Sequence, residues 1–209
     1  MEIRISGRGD IPSGEYEKIS VSGKGVLHGN VRAISFKSSG TIRGENLDAE
    51  SIKTSGRACF EGDIAAKSIH TSGTILCNDI KCEHLAVSGN IKVGDSIEAK
   101  SVKVSGTLKC KGRIRAENIK IVADRMVNVG SIEGKNVEIK RKRLSIMKRG
   151  AVVSSLIEGE SLSLNHVVCP TVCGKSIVVG RGCKIDIVKN SEEIKVSKGA
   201  KVGKIEKMQ

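Results

Sequence analysis

The sequence predicts an all-β chain folded as a single-stranded β-helix, a β-solenoid of triangular section with 16–17 residues per coil. Three observations predict it. Ser-Gly recurs at Gly7, Gly23, Gly40, Gly56, Gly73, Gly89 and Gly106, at spacings of 16, 17, 16, 17, 16 and 17 residues. Between these dipeptides, apolar residues return in register as short apolar-x-apolar units, the period-two signature of strands. The chain has only three aromatic residues in 209, Tyr16, Phe36 and Phe60. Its interior must therefore be narrow and filled by small aliphatic groups.

Each period contains three such units. The first begins four residues before the Gly, at Ile19, Phe36, Ile52, Ile69, Leu85, Val102 and Ile119, with Val21, Ser38, Thr54, Thr71, Val87, Val104 and Ile121 two residues on. The second follows the Gly, as in Ile42 with Gly44 and Ile75 with Cys77. The third pairs a large apolar residue with Ala, as in Leu47 with Ala49 and Ile64 with Ala66. These units are too short for amphipathic helices, and β-branched residues dominate them. The Ser-Gly dipeptide reads as one corner of a coil. Gly is expected there for a backbone dihedral that other residues resist, and Ser for local hydrogen bonds.

Two regions follow. Residues 1–121 carry the regular coils. Residues 122–209 continue them irregularly, with Val137, Leu162, Ile177 and Ile194 extending the first column at steps of 18, 25, 15 and 17. The long step implies a basic insert near 140–150. The whole reads as about ten or eleven coils, roughly 50 Å at the strand spacing of about 4.8 Å.

Formal net charge is +13, made of 19 Lys/Arg against 14 Asp/Glu up to residue 121 and 17 against 9 beyond it. Such a balance suits anionic lipid, nucleic acid or an acidic protein. The scarcity of aromatics disfavours nucleic acid, since bases have little to stack on. No apolar run is long enough to span a bilayer, and "MEIRISGRGDIPSG" has no apolar leader. With seven cysteines, an odd number, this points to reduced thiols in a cytoplasm.

The phrases "FEGDIAAKSIHTSG" (60–73), "VGDSIEAKSVKVSG" (93–106) and "KGRIRAENIKI" (111–121) resemble the bactofilins, bacterial polymer-forming cytoskeletal proteins. The resemblance implies a right-handed β-helix that polymerises end to end without nucleotide. It implies a scaffold for cell shape, polarity, motility or envelope organisation, and a paralogous bactofilin as a further partner. It also implies a cytoplasmic location, in contact with the inner face of the cell membrane.

The candidate residues follow from the repeat. Both sequence ends keep strand alternation, through Ile3, Ile5 and Ile11 and through Ile194, Val196, Val202 and Ile205. Coils with unpaired backbone edges attract further strands, so these are candidate polymerisation ends. The lysines of the last coil read the other way, because Lys on an edge discourages pairing. The run "KRKRLSIMKR" supplies Lys140, Arg141, Lys142, Arg143, Lys148 and Arg149, a candidate patch for a membrane surface or an acidic protein partner. A monomeric β-helix module that docks such a partner through its basic face is the alternative to a polymer. An enzyme is not expected: no Ser/His/Asp or paired-carboxylate grouping emerges from the columns. Cys77, Cys82 and Cys110 read as small buried apolar residues. Cys169, Cys173, Cys183 and His166 have metal-compatible closeness but do not converge on one face. No catalytic, metal or cofactor site is therefore expected.

Overall fold

The structure, a computed structural model, describes residues 1–124, 126–141 and 152–208. Among them there is no helix, and parallel strands stack as the coils of a β-solenoid of about 11 turns. The chain divides into two compact units, Met1–Ala99 and Lys100–Gln209.

In the first unit the chain repeats one sequence of elements. Two short strands, β1 (Glu2–Ile5) and β2 (Arg8–Ile11), lead into the longer β3 (Gly14–Val21), then β4 (Lys24–Leu27) and β5 (Asn30–Ser38). The long strands each contain two straight segments. The pairing between β5 and Asn46–Thr54 runs from Asn30↔Asn46 to Ala33↔Ala49, skips one position, and resumes from Ser35↔Ser51 to Ser38↔Thr54. Each coil thus has three strand segments, one for each apolar-x-apolar unit of the sequence. Side chains alternate strictly along them, so the apolar members face one another across a narrow core. Phe36, Ile42, Leu47, Ile52, Ile64 and Ile69 are all essentially inaccessible to solvent.

In the first unit each coil hydrogen-bonds to the one before it. Thr41 N donates to Gly23 O, Arg57 N to Gly40 O and Thr74 N to Gly56 O, each at 2.9 Å. These bonds flank the Ser-Gly corner and reveal why it holds glycine. The expected left-handed dihedral is absent there: among the described residues, glycines with positive φ are Gly14, Gly29 and Gly182. The constraint is steric. A Cβ placed on Gly23, Gly40, Gly56, Gly73 or Gly89 would lie less than 3.0 Å from the carbonyl oxygen of the corner glycine one coil earlier. At Gly7, in the first coil, nothing lies within 4 Å.

The second unit continues the parallel ladder with longer strands, among them Thr107–Ala123, Val127–Arg141, Leu156–Leu164, Val167–Val179 and Lys184–Val196, and with register shifts between Cys110 and Arg113 and between Gly174 and Ser176. The first column continues as the sequence implies, through Ile119↔Val137, Val137↔Leu162, Leu162↔Ile177 and Ile177↔Ile194. The Ala column becomes Gly134, Gly159 and Gly174, which stack on one another. A Cβ at Gly159 would collide with the Gly134 carbonyl, so the coils here approach closely on this side. The 25-residue step between Val137 and Leu162 is absorbed without loss of register, because Val152 re-enters beside Val127.

The corner geometry makes a paired prediction. Gly56→Ala forces a backbone shift and costs about 1–3 kcal/mol or more, whereas Gly7→Ala leaves the denaturant midpoint of the monomer unchanged. Urea unfolding of the two variants checks it.

Candidate functional sites

Three surfaces emerge from this geometry. The first is the C-terminal coil. The strand Lys201–Lys207 pairs with Lys184–Val196 on one side, and no second partner strand is present among the described residues. Among the described residues nothing stacks on its inward positions. Val196 is 43% exposed and Ile205 is 51% exposed, although Val179 and Val188, their column neighbours, are completely buried. Ile194 and Val202 are half-buried in the same coil. Two inward positions break the apolar pattern: Asn190, which is buried, and then Lys207 follow Gly174 in the Ala column. At the N-terminal coil β1 pairs only with β3 and β2 only with β4 among the described residues. Ile3 is half-buried, while Ile5 and Ile11 are buried. The N-terminal coil is therefore the better covered of the two.

The second surface is the basic run. Lys142, Arg143, Lys148 and Arg149 lie outside the described residues. Lys140 is exposed and forms an ion pair with Glu138. Glu138 also receives Lys120 Nζ at 2.8 Å. Hydrogen bonds from Lys120 and then Lys140 hold the Glu138 carboxyl below its ordinary range. This contribution to stability is present above the usual carboxylate range and is lost as pH falls below that range through the lowered folded-state value. Arg141 is half-buried and also engaged. Neither of these two cations is a freely solvated charge.

The third surface escaped the sequence reading. In the first unit a groove of about 600 Å³ runs across successive coils beside the Ser-Gly corner. One wall is the outward column Arg4, Ser20, Lys37, Lys53, His70 and Ala86, stacked in that order. The other wall is the exposed Ser column, including Ser39, Ser55 and Ser72. Ser38, Thr54 and Thr71 lie between them, each 3% exposed, and their hydroxyls have no hydrogen-bond partner among the described residues. The signal was present in the sequence, as polar residues in a column that holds Val21 and Val87 on either side.

The groove wall contrasts with two of the other outward columns, although Arg8 and Lys24 are likewise like-charged ladder partners. Lys67 meets Glu50 at 2.7 Å, and Arg32 meets Glu15 at 3.4 Å and Asp48 at 3.6 Å. Those columns alternate sign and neutralise themselves. The groove column contains no acid, and no ion pair to Arg4, Lys37, Lys53 or His70 occurs among the described residues. A hollow of about 340 Å³ on the second unit is lined by Lys103, Lys120 and Ser163, but it includes Glu138, which already takes Lys120.

The cysteines are free. Cys77, Cys82, Cys110, Cys169 and Cys183 are buried, and Cys59 and Cys173 are half-buried. Burial pushes the Cys82 thiol up to about 12 and the Cys169 thiol up to about 11. Cys169 Sγ lies 3.0 Å from Thr171 O, and Cys183 Sγ lies 3.3 Å from Leu164 O. The thiols therefore point at backbone carbonyls rather than at one another. Burial, and then Arg141 and Arg181, lower the His166 pKa. No group of three or more His, Cys, Asp or Glu residues converges as metal ligands among the described residues.

Among the described residues, no helix is long and apolar enough to cross a membrane. Comparisons with protein-family models, with characterised proteins and with solved structures returned no match.

Two outcomes follow from burial. Thr54→Val and Thr71→Val each raise stability by about 1 kcal/mol, because each removes a buried hydroxyl that has no partner; thermal denaturation measures this. A thiol reagent at pH 8 reacts first with Cys59 and Cys173, and with the remaining five thiols only on unfolding; the time course of labelling, read by mass spectrometry, checks it.

Proposed function

We propose that this protein is a non-enzymatic scaffold that stacks coil on coil with further copies of itself, without nucleotide. This is the behaviour implied by its resemblance to the bactofilins, and it would serve cell shape, motility or envelope organisation from the cytoplasm. The observation that carries the reading is the open core section of the last coil. Val196 and Ile205 stand at inward positions yet are about half exposed. Fully burying a side chain of this kind contributes roughly 1.5–3 kcal/mol, and the unpaired strand edge beside them offers backbone hydrogen bonds in the same contact.

Charge supports a polar, head-to-tail arrangement. Residues 184–207 carry seven Lys against four acids, while residues 2–17 carry two Arg against four acids. Two C-terminal coils placed face to face repel, whereas a C-terminal coil on an N-terminal one attracts. A head-to-tail contact does not close on itself, so it propagates as a filament. Gly7 fits this role. The Cβ of each later corner glycine would point at the preceding coil, so a Cβ on Gly7 would point out of the first coil toward an incoming copy. Lys207 opposes stacking, since an inward charge blunts an edge, and it would set a limit on filament strength.

Electron microscopy of the full-length protein at low and physiological salt tests the proposal. Filaments are expected without nucleotide. Val196→Asp with Ile205→Asp abolishes them. Gly7→Ala weakens them while leaving the monomer as stable as before, and Lys207→Ala strengthens them. A uniform monomer under every condition would overturn the reading.

A further inference from the structure

The last coil places a lysine where the coils before it place almost nothing. Its column runs Gly134, Gly159, Gly174, Asn190 and Lys207, each the ladder partner of the one before. Lys207 lies two residues beyond Ile205 on the same side of the strand, at the open core section of the C-terminal coil. Among the described residues the fold buries no charged side chain: the buried polar residues are Ser38, Thr54, Thr71, Ser154 and Asn190. Lys207 is exposed only because nothing is stacked on it there.

No ion pair to Lys207 occurs among the described residues. The adjacent acid, Glu206, receives Lys204 Nζ at 2.7 Å and Lys189 Nζ at 3.9 Å. The hydrogen bond from Lys204 holds the Glu206 carboxyl below its ordinary range. Beneath Lys207, Asn190 is neutral. Given the self-stacking proposed above, on which this rests, a copy that continues the ladder brings its own member of this column, Tyr16, against Lys207. Tyr16 is buried, and its hydroxyl donates to Pro12 O at 2.8 Å. Its neighbours Glu15 and Glu17 are exposed on the outward side, where Glu15 meets Arg32 at 3.4 Å and Glu17 meets the Met1 ammonium at 3.9 Å. Among the described residues no carboxylate from either side of the junction is aimed at Lys207. Stacking thus takes an ammonium out of water without a counter-ion. A lysine in that position relieves the cost by giving up its proton.

We propose that Lys207 couples coil-on-coil stacking to a proton. The C-terminal coil accepts a further copy weakly while Lys207 is charged and strongly once it is neutral, with one proton released per junction. The sign follows from linkage. The stacked state holds fewer protons than the free coil, so stacking strengthens as pH rises from neutrality toward the ordinary lysine range, about 10.4. For one proton the limiting slope is about tenfold in critical concentration per pH unit.

Sedimentation of the full-length protein from about pH 7 to about pH 9.5, at fixed salt, gives the critical concentration for assembly. For the wild type it should fall at least about tenfold over this range. Lys207→Arg keeps its charge throughout and should assemble poorly with no such fall. Lys207→Met keeps a stem of similar length without the charge, and should assemble at neutral pH as well as the wild type does at high pH. Lys201→Met, at an outward position on the same strand, should retain the wild-type fall. An equal fall in Lys207→Arg would overturn the proposal, because another group would then be titrating. So would equal critical concentrations for wild type and Lys207→Met at neutral pH. In that case the ammonium reaches solvent around the coil edge, and self-assembly stands without this control. Absence of assembly in Lys207→Met at every pH would overturn both, since a neutral end would then recruit no copy.

Discussion

The backbone ladder between successive parallel coils is the constraint on which the structure depends. Each strand segment hydrogen-bonds to the equivalent segment one coil away, at about 4.8 Å. The ladder leaves no freedom in which residues are neighbours: position matches position, coil after coil. Sequence repetition follows directly. An isoleucine is favourable at a column because another isoleucine or leucine stacks on it, as Ile52 stacks on Phe36 and Ile69 stacks on Ile52. The corner glycines follow too. Where one coil's carbonyl faces the next coil's Cα, there is no room for a side chain, and the dipeptide recurs through the regular coils up to Gly106.

The same ladder makes charge costly. Any outward column of like charges holds them one coil step apart. Most of the surface avoids this by alternating sign, as in Glu50, Lys67, Glu83 and Lys100, or by inserting neutral residues. These exposed pairs contribute little individually, and their role is to keep repulsion from accumulating along a column. The Lys37, Lys53 and His70 column is one exception in the first unit, and the pairing of Arg8 with Lys24 is another.

Function in such a fold separates into faces and ends. The faces are rigid and finely spaced, suited to linear ligands with little shape of their own. An end displays a cross-section of the core together with unpaired backbone, which is suited to another coil of the same kind. The C-terminal coil has both attributes, tempered by Lys207, and its lysines complement the acidic first coil.

The sequence by itself determined the coil. Spacing of Ser-Gly, three apolar-x-apolar units per period and the column through Val137, Leu162, Ile177 and Ile194 specified which residues stack, because register in a parallel ladder is a property of sequence period alone. It also implied that Cys77, Cys82 and Cys110 were interior. The tertiary structure decided what stacking does to each column's surroundings. It showed that the corner glycines are demanded by a neighbouring carbonyl rather than by a dihedral, since that carbonyl belongs to another coil. It showed Lys140 tied to Glu138, which a count of basic residues does not register. It also showed that Ser38, Thr54 and Thr71 lack partners beside a basic wall. A period reveals which residues are neighbours, but hydrogen-bond satisfaction and concavity depend on all the atoms around a group, and those are fixed only when the coils close.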